Sequence, residues 1–482
     1  MPEVSTAELL AALEADTTFE AGAQFLKIAS DYFQRTRSGE GPVSTRLDKR
    51  ALTARFDEPI PLGMTPLADV AKRIETDVMP DVIQLMHPKY MGHQVSAPLA
   101  AAVWTDVVIS AINNSQAVWE MSPVTTVIEE RVIGWMCQLA GYGPGAAGTF
   151  TSGGTEATLT ALLAARAAKY PDAWRSGWFG KQPPVLVHGE HAHYAVQRAA
   201  GVMGLGTDNC IAVGSTPEFK MDPAKLAVVL EQLHREGRDV LAVVATAGCT
   251  AVGAFDDLEA IADLCDRYGH WLHVDGAHGA SALLSEKHKW RVKGIHRARS
   301  LAWDPHKMML MPLSAGVVLV RSGKDLERAF AQSAPYLFHG ADSEVELSPD
   351  LGKRSFQCSR RADALKVWVG LQRFGVAGIG AMYTALCDSA ADLHAKLAAR
   401  PGIDPLHVPE SNILAWSVAE SDSETVARIR RDIREVDGAW LTSTVIAGTP
   451  CLRVTMMNLR TDATESLASR PPRERSRPRV RD

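Results

Sequence analysis

The 482-residue sequence predicts an α/β fold in which a mostly parallel sheet is flanked by helices. Two observations support this prediction. Apolar runs alternate in a regular order with helical patterns through the middle of the chain, and strand, helix and strand in that order imply parallel strands joined by helical crossovers. The apolar runs are also continuous rather than alternating with polar residues, which is typical of strands covered on both faces.

The individual elements are predicted between residues 148 and 321. A strong helix follows the glycine pair in "GTFTSGGTEATLTALLAAR" (148–166), a second lies in "AHYAVQRAAGVMG", and a third in "DDLEAIADLCDRYG" (256–269) ends at a glycine. The predicted strands are "VLVH" (185–188), "VLAVVATA" (240–247), "HWLHVD" (270–275), "SLAWD" (300–304) and "AGVVLVR" (315–321).

Charge, cysteine content and hydropathy exclude several classes of protein. The net charge of −5 gives no reason to expect nucleic acid as a partner. The seven cysteines lie singly, without a C-x-x-C pair, so we expect neither a metal site nor a disulfide framework, and a reducing compartment fits. The acidic N-terminus does not have the pattern of a signal peptide, and no apolar run approaches the roughly 18 residues of a membrane span. A cytoplasmic protein without membrane contact is expected.

Chemically distinct side chains follow the predicted strands. Lys307, in "LAWDPHKMMLMP", comes after one strand, Asp275 ends another, Thr246 is near the end of a third, and His193 follows a fourth. Ligands of open parallel sheets bind beyond the carboxyl ends of the strands. The start of the helix at Thr155 offers backbone N–H groups that bind phosphate, although no G-K-[ST] follows the glycines as in a P-loop. An amine, a carboxylate, an imidazole and an anion cradle are therefore expected to converge.

Pyridoxal phosphate is the cofactor that needs this set of groups. A lysine forms a Schiff base with its aldehyde, and a carboxylate keeps its ring nitrogen protonated so that the ring can accept electrons. An imidazole can stack on the ring, and a helix start can hold the phosphate.

Seven motifs carry a resemblance to a known family. The chain resembles the group II pyridoxal-phosphate-dependent amino-acid decarboxylases, which act on glutamate, cysteine sulfinate, diaminobutyrate and aromatic amino acids, and it is closest to the glutamate and cysteine sulfinate branch. The resemblance runs from about residue 55 to about residue 460. The motifs are "HPKYMGHQVSAP", "TSGGTEATL", "HAHYAVQRA", "VVATAGCTAVGAFDDL", "WLHVDGAHGASALLS", "DPHK" and "FQCSRRADALKVW".

The resemblance implies the type I pyridoxal-phosphate-dependent transferase fold, similar to aspartate aminotransferase, and a homodimer with active sites at the subunit interface. It also implies a division of the chain. We expect an N-terminal helical segment (1–95), a large cofactor-binding α/β domain (96–370), a small C-terminal α+β domain (371–464) and a disordered basic tail (465–482), whose composition cannot bury apolar surface.

The resemblance also implies roles for single residues. Lys307 would be the Schiff-base lysine, Asp275 would pair with the ring nitrogen, and His193 would stack on the ring. The remaining implied cofactor contacts are Gly154, Thr155 and His306 at the phosphate, Thr246 beside the ring and Ala277 on its other face. Arg453 matches an arginine that receives a substrate carboxylate, and Gln94 and Ser96 match positions that recognise the substrate side chain.

Three positions depart from the family pattern. Asp304 stands where most relatives have asparagine, and a carboxylate close to a phosphate would repel it unless neutralised or turned away. Ala117 replaces bulky aromatic residues, which predicts a wider or relined substrate pocket. Family decarboxylases carry a proton-donating tyrosine in the loop after the lysine. The loop here (336–355) has only Tyr336, at its start, and the expected position falls near Ser343 to Val345.

These features predict an enzyme that releases the α-carboxylate of an L-amino acid as CO2 and leaves an amine. The substrate would be acidic (glutamate, aspartate or cysteine sulfinate) or diaminobutyrate. Two alternatives stay open: decarboxylation with oxidative deamination to an aldehyde, favoured by the missing tyrosine, and a non-catalytic relative, which Lys307 and Asp275 argue against. His339 in the same loop is the predicted replacement proton donor, because imidazole titrates near neutral pH.

Overall fold

A seven-stranded sheet forms the centre of the computed structural model, which describes residues 4–45, 48–178, 180–330, 334, 338 and 346–462. Its strands are β1 (Ala147–Thr151), β2 (Val185–Gly189), β3 (Cys210–Val213), β4 (Val240–Thr246), β5 (Trp271–Asp275), β6 (Ser300–Trp303) and β7 (Gly316–Val320). Their order across the sheet is β1-β7-β6-β5-β4-β2-β3. Each neighbouring pair from β3 to β6 is parallel, whereas β7 runs antiparallel to both β1 and β6.

A second, smaller sheet lies in the C-terminal region. It contains β8 (Ile403–Pro405), β9 (Ile413–Val418), β10 (Thr442–Ile446) and β11 (Thr449–Thr455), which pair antiparallel in the order β10-β11-β9-β8.

Helices precede, surround and follow these sheets. The first four are α1 (Thr6–Asp16), α2 (Phe19–Ser38), α3 (Lys49–Arg55) and α4 (Leu67–Arg73). The helices before β5 are α5 (Ala100–Ile112), α6 (Pro123–Leu139), α7 (Gly154–Lys169), α8 (Ala173–Ser176), α9 (Ala195–Val202), α10 (Pro223–Arg235) and α11 (Leu258–Tyr268). The last are α12 (Gly323–Ala329), α13 (Ala364–Ala398) and α14 (Ser423–Asp432). Helix α13 is broken at Gly375, whose φ of 65° is left-handed.

Apolar packing covers both faces of the central sheet, as the continuous apolar runs predict. Every residue of β4 is buried. Val244 packs in the cluster formed with α7, α9 and α12, whereas its neighbour Val243 packs in the cluster formed with α6, α10, α11 and α13. Because successive side chains of a strand point to opposite faces, a strand buried on both sides must be apolar throughout.

Helix α11 shows how the sequence sets an element's ends. The Asp257 side chain caps its start by accepting a hydrogen bond from the Ala260 N–H (3.1 Å). Gly269 ends it in the left-handed conformation, with φ 70°. The crossover helix between β4 and β5 therefore lies where the sequence predicts it.

The predicted fold class is confirmed, with one detail added by the antiparallel strand β7. The predicted domain limits stay predictions: the limit at residue 370 falls inside α13, and the predicted tail (465–482) lies outside the described residues. Within the ranges that the structure covers, none of the helices combines the length and the apolar character needed to cross a bilayer.

Candidate active site

The carboxyl ends of adjacent parallel strands bring the predicted site residues together. In the register of the sheet, Thr246 at the end of β4 lies opposite Asp275 at the end of β5, and Asp275 lies opposite Ala302 in β6. A cavity of about 370 Å³ opens beyond these ends. It is lined by Ser152, Gly153, Gly154, Thr155, His193, Tyr194, Thr246, Gly248, Thr250, Asp275, Ala277, His278, Asp304, His306, Lys307 and Leu313.

The turn after β6 positions Lys307. The Asp304 N–H donates to the Ala277 carbonyl (3.1 Å), and the Lys307 N–H donates to the Asp304 carbonyl (2.9 Å), so the turn is fixed to the neighbouring strand end. The Lys307 side chain is 22% exposed, and its Nζ lies 3.1 Å from Asp304 Oδ2. The lysine therefore has a carboxylate partner, which its apolar sequence context does not reveal.

Asp275 is buried at the end of β5. Its Oδ1 accepts a hydrogen bond from the Ala277 N–H (3.2 Å), and its carbonyl accepts one from the Ala247 N–H (2.9 Å). These bonds fix the carboxylate at the wall of the cavity. A buried carboxylate held in this way can stabilise a positive charge on a bound ligand.

Two histidines of the cavity are held as neutral rings. Burial lowers the pKa of His193, which Asp275 partly opposes, and burial also lowers the pKa of His306, which Asp304 partly opposes. His193 Nδ1 accepts from the Ala195 N–H (3.2 Å), and His306 Nδ1 accepts from the Ala315 N–H (3.0 Å). In each neutral ring the proton is therefore on Nε2, which leaves a donor on that side.

Glycines form the anion cradle at the start of α7. A Cβ added at Gly154 would lie 2.8 Å from the Ala277 Cβ and 3.0 Å from Asp304 Oδ2. A Cβ added at Gly316, the first residue of β7, would lie 2.4 Å from the Gly153 Cα. The backbone at the helix start can approach this wall so closely only because these residues lack side chains.

Thr246 presents a hydroxyl that the protein does not satisfy. Its Oγ1 is buried and, among the described residues, has no hydrogen-bond partner. The Thr246 N–H donates to Asp256 Oδ2 (2.7 Å), so the strand end is fixed while the hydroxyl remains available to a ligand.

The predicted substrate residues do not line this cavity. The Ser96 hydroxyl donates to the carbonyls of His306 (3.1 Å) and Met311 (3.4 Å), which braces the turn that carries Lys307. The Arg453 guanidinium donates to the carbonyls of Ala251 (2.9 Å) and Thr250 (2.6 Å), and Thr250 does line the cavity. Burial lowers the pKa of Arg453 to about 10. Gln94 has a buried Nε2 without a partner in the described part of the chain.

His278 is a cavity residue that the sequence reasoning missed. Its Nε2 lies 2.6 Å from Asn412 Oδ1, and burial lowers its pKa to about 3, so the ring is neutral. The signal was present in "HVDGAHG", where His278 follows Asp275 by three residues, in the turn after β5. Ser152, Tyr194, Gly248, Thr250 and Leu313 carry no comparable sequence signal.

The positions that depart from the family pattern have different outcomes. Asp304 lines the cavity. Ala117 is buried away from it, where its carbonyl accepts a hydrogen bond from the Gly352 N–H (2.8 Å). Tyr336, His339 and the stretch from Ser343 to Val345 lie outside the described residues. In the part of the chain that the structure covers, no group of His, Cys, Asp or Glu side chains could hold a metal ion.

The fold and the site together define a class of enzyme. A mostly parallel sheet with a lysine, a buried carboxylate and a glycine-lined helix start at its strand ends is the arrangement of enzymes that carry pyridoxal phosphate. Comparison with known proteins identifies the family. Residues 50–408 match the model of the pyridoxal-dependent decarboxylase conserved domain, and the chain belongs to this family.

Individual relatives agree with the family assignment. The chain is 36% identical to the L-2,4-diaminobutyrate decarboxylase of Rhizobium meliloti, over 71% of this chain and 66% of that protein. It is 34% identical to the acidic amino acid decarboxylase GADL1 of Bos taurus, over 72% of this chain and 66% of that protein. The match thus spans just under two thirds of either relative. The crystal structure of mouse CSAD superposes with a TM-score of 0.86 at 26% identity, covering 95% of this chain and 97% of that one.

Proposed function

We propose that the chain removes the α-carboxylate of an L-amino acid as CO2 and leaves the amine, with pyridoxal phosphate bound at Lys307. The observation that carries this proposal is the convergence of Lys307, Asp275 and the start of α7 on one cavity. The family assignment supports the same reaction class.

Several side chains and backbone N–H groups of the cavity suit the proposed cofactor. The unsatisfied Thr246 hydroxyl can bond to a polar ring substituent, and the small side chain of Ala277 leaves room for a flat ring. The N–H groups at the start of α7 and the proton on His306 Nε2 suit a phosphate. Lys307 would form the covalent link, Gly154, Thr155 and His306 would hold the phosphate, and His193 would face the ring.

Pyridoxal phosphate supplies an electron sink for the pair of electrons left when CO2 departs. Asp275 contributes a fixed negative charge at the cavity wall, which would keep the nitrogen of a bound ring protonated. His193 is neutral and carries its proton on Nε2, so it can orient a ligand without adding positive charge. Most of the residues that line the cavity are buried or half-buried, so the local dielectric is low. These electrostatic interactions are therefore screened less than they would be in water.

The substrate is proposed to be acidic or a diamino acid. Arg453 would receive a substrate carboxylate after exchanging one of its present carbonyl partners, Thr250 or Ala251. Gln94 and Ser96 would act at the side-chain end, Gln94 directly and Ser96 through the turn that it braces. The two curated relatives described above act, by their names, on acidic amino acids and on diaminobutyrate.

A second candidate reaction is decarboxylation with oxidative deamination to an aldehyde. It is favoured by the loop sequence, which lacks a tyrosine at the position of the family proton donor. A product balance under air and under nitrogen separates the two: clean stoichiometric amine in both atmospheres supports simple decarboxylation. Aldehyde and ammonia that require air support the second reaction, and suppression of them by Glu344→Tyr would assign the effect to the loop.

A homodimer and a cytoplasmic location are also proposed. Exposed apolar side chains along one face of α5 support the homodimer, because exposed apolar patches commonly mark interfaces; they are Trp104, Val107, Val108 and Ile112. Seven free thiols, five of them buried, agree with a reducing compartment.

Lys307→Ala tests the proposed function. The variant should lose both the visible absorbance of the protein-bound cofactor and CO2 release from glutamate, aspartate, cysteine sulfinate and diaminobutyrate, because no other amine lines the cavity described here. Lys293→Ala, which removes an exposed lysine paired with Glu259, is the control and should retain both. Full activity of Lys307→Ala would refute the proposal.

A further inference from the structure

Asp304 is the centre of a compact set of polar contacts. Its Oδ2 accepts a hydrogen bond from the Gly154 N–H (3.0 Å) and lies 3.1 Å from Lys307 Nζ and 3.4 Å from His306 Nε2. The side chain is only 1% exposed. A single carboxylate oxygen thus joins the helix start, the lysine and a histidine.

These partners are the groups that the proposed function assigns to the cofactor. Gly154 and His306 would hold its phosphate, and Lys307 would bind it covalently. The start of a helix favours a negative charge whether a carboxylate or a phosphate supplies it. Asp304 carries a charge of the same sign as phosphate, and it contacts the same donors that a phosphate would use.

The other oxygen of Asp304 shows that this carboxylate is not a fully satisfied structural group. Its Oδ1 is buried and has no hydrogen-bond partner within the described residues. The nearby buried Asp256 contrasts with it: its two oxygens accept hydrogen bonds from the N–H groups of Met221 and Thr246, both at 2.7 Å. Leaving a carboxylate oxygen buried and unpaired costs free energy. The contacts that hold Asp304 are therefore those of Oδ2, and Oδ1 adds none among the described residues.

We infer that Asp304 is an internal competitor of the cofactor, a positioning residue that neutralises Lys307 and the start of α7 in the cofactor-free protein and opposes the incoming phosphate. This inference rests on the proposed function. It has two consequences of the same sign. The carboxylate repels the phosphate across a short distance, and its contact with Lys307 Nζ has to be broken before that amine can attack a carbonyl.

Asp304→Asn tests the competition, because the amide oxygen can still accept from the Gly154 N–H while the charge is removed. Cofactor-free protein is titrated with pyridoxal phosphate and followed by visible absorbance. The variant should bind the cofactor about tenfold more tightly than the wild type, a modest share of the repulsion expected between like charges in a partly buried site. The gain should be smaller for pyridoxal, which lacks the phosphate.

Asp325→Asn is the matched control. Asp325 is also buried and paired with a cation, Arg299 at 3.3 Å, but it lies in α12 and does not line the cavity. Its cofactor affinity should equal that of the wild type. Asp304→Ser, a second neutral variant, should show the same gain as Asp304→Asn and guards against an effect of the amide alone.

Inorganic phosphate provides a readout that does not depend on the cofactor. Added to cofactor-free protein, it should raise the melting temperature of Asp304→Asn more than that of the wild type. Equal melting shifts, or an unchanged or weaker cofactor affinity in both neutral variants, would overturn the inference. A wild type that binds no cofactor at all would instead refute the proposed function, and the phosphate measurement would still decide the competition.

Discussion

Asp275 and Asp304 are buried carboxylates at the ends of adjacent strands, and their surroundings give them different roles. Asp275 accepts a backbone hydrogen bond and, within the described residues, has no lysine contact of the kind that Asp304 makes at 3.1 Å. Its charge is therefore available to a ligand, whereas that of Asp304 is engaged by the protein. We therefore propose that the same type of side chain serves two purposes here, because the neighbouring donors differ.

Asp275→Asn should reduce turnover roughly 10²–10³-fold, the size of effect seen when one fixed electrostatic group is removed from an active site. The amide can still accept from the Ala277 N–H, so the fold and the binding of cofactor at Lys307 should be retained. Steady-state CO2 release and the visible absorbance band measure the two properties separately. Asp275→Glu, which keeps the charge, should recover part of the turnover, and unchanged turnover in Asp275→Asn would make Asp275 a structural residue.

The buried His273 lies two residues before Asp275 in β5. From its burial we predict that acid lowers the stability of the folded protein. Its Nδ1 lies 2.9 Å from Ser300 Oγ, which also accepts from Trp271 Nε1 (2.8 Å), so the serine proton is donated to a neutral His273. Burial lowers the pKa of His273 to about 4. Between pH 6.5 and about 4 the unfolded chain binds this proton and the folded chain does not, so stability falls as the pH falls through this window.

The expected loss from His273 between pH 7 and pH 5 is on the order of 2 kcal/mol. Denaturant unfolding at these two pH values measures it in the wild type and in His273→Gln, which keeps an acceptor for Ser300 but does not titrate. The variant should lose less stability on acidification than the wild type. Val228→Ala, which changes an exposed side chain that does not titrate, is the control, and its acid dependence should match that of the wild type. Equal acid dependence in all three proteins would contradict the prediction.

Among the elements, the buried strands were predictable from sequence because burial on both faces requires continuous apolar residues. The strands β2, β4, β5, β6 and β7 lie within or next to the predicted stretches, and Asp275 and Thr246 lie at strand ends as expected. The direction of a strand could not be predicted in this way, because an apolar run has the same pattern whichever way the strand runs. The antiparallel course of β7 is set by its pairing with β1 and β6, which the local sequence does not specify.

Contacts between side chains and groups that are far apart in the chain could also not be predicted from the sequence. Ser96 resembles a recognition residue in its motif, but its hydroxyl meets the carbonyl of His306, which is distant in the chain. The contact of Asp304 with the Gly154 N–H likewise joins two motifs that are far apart in the chain, and the periodicity of the sequence does not predict that they meet. The resemblance names which motifs form the site, whereas the tertiary packing decides which atoms meet.

The junction of β7 with the start of α7 gives a prediction for an element. Gly316→Ala places a Cβ 2.4 Å from the Gly153 Cα, and a backbone atom cannot move aside as a flexible side chain can. The turn at Gly153 and Gly154 should shift, and the affinity for pyridoxal phosphate should fall at least tenfold. Gly134→Ala in α6, where an added Cβ meets nothing within 4 Å, is the control and should leave affinity unchanged. Normal affinity in Gly316→Ala would show that the cradle tolerates displacement.

In the described part of the chain, helices α1 and α5 leave apolar surface exposed to solvent. Helix α1 has 11 residues and, within the described structure, none of its side chains is buried, although an isolated helix of this length is marginal in water. On α5, Trp104, Val107, Val108 and Ile112 are 37–51% exposed and follow the spacing of one helical face. Surface of this kind is consistent with the proposed homodimer, in which a second copy would cover it.

Val108→Glu tests whether the α5 face lies in that interface. Val108 is 51% exposed, so a glutamate is tolerated in the separate subunit, but its charge would be costly to bury against a second copy. The dissociation constant of the dimer should rise at least ~100-fold, which corresponds to roughly 2.7 kcal/mol. Sedimentation velocity over a range of protein concentrations measures it. Val228→Glu on α10, at a valine that is 64% exposed, is the matched control and should sediment as the wild type does. If both variants remain dimeric at concentrations where the wild type is dimeric, the subunits associate through another surface.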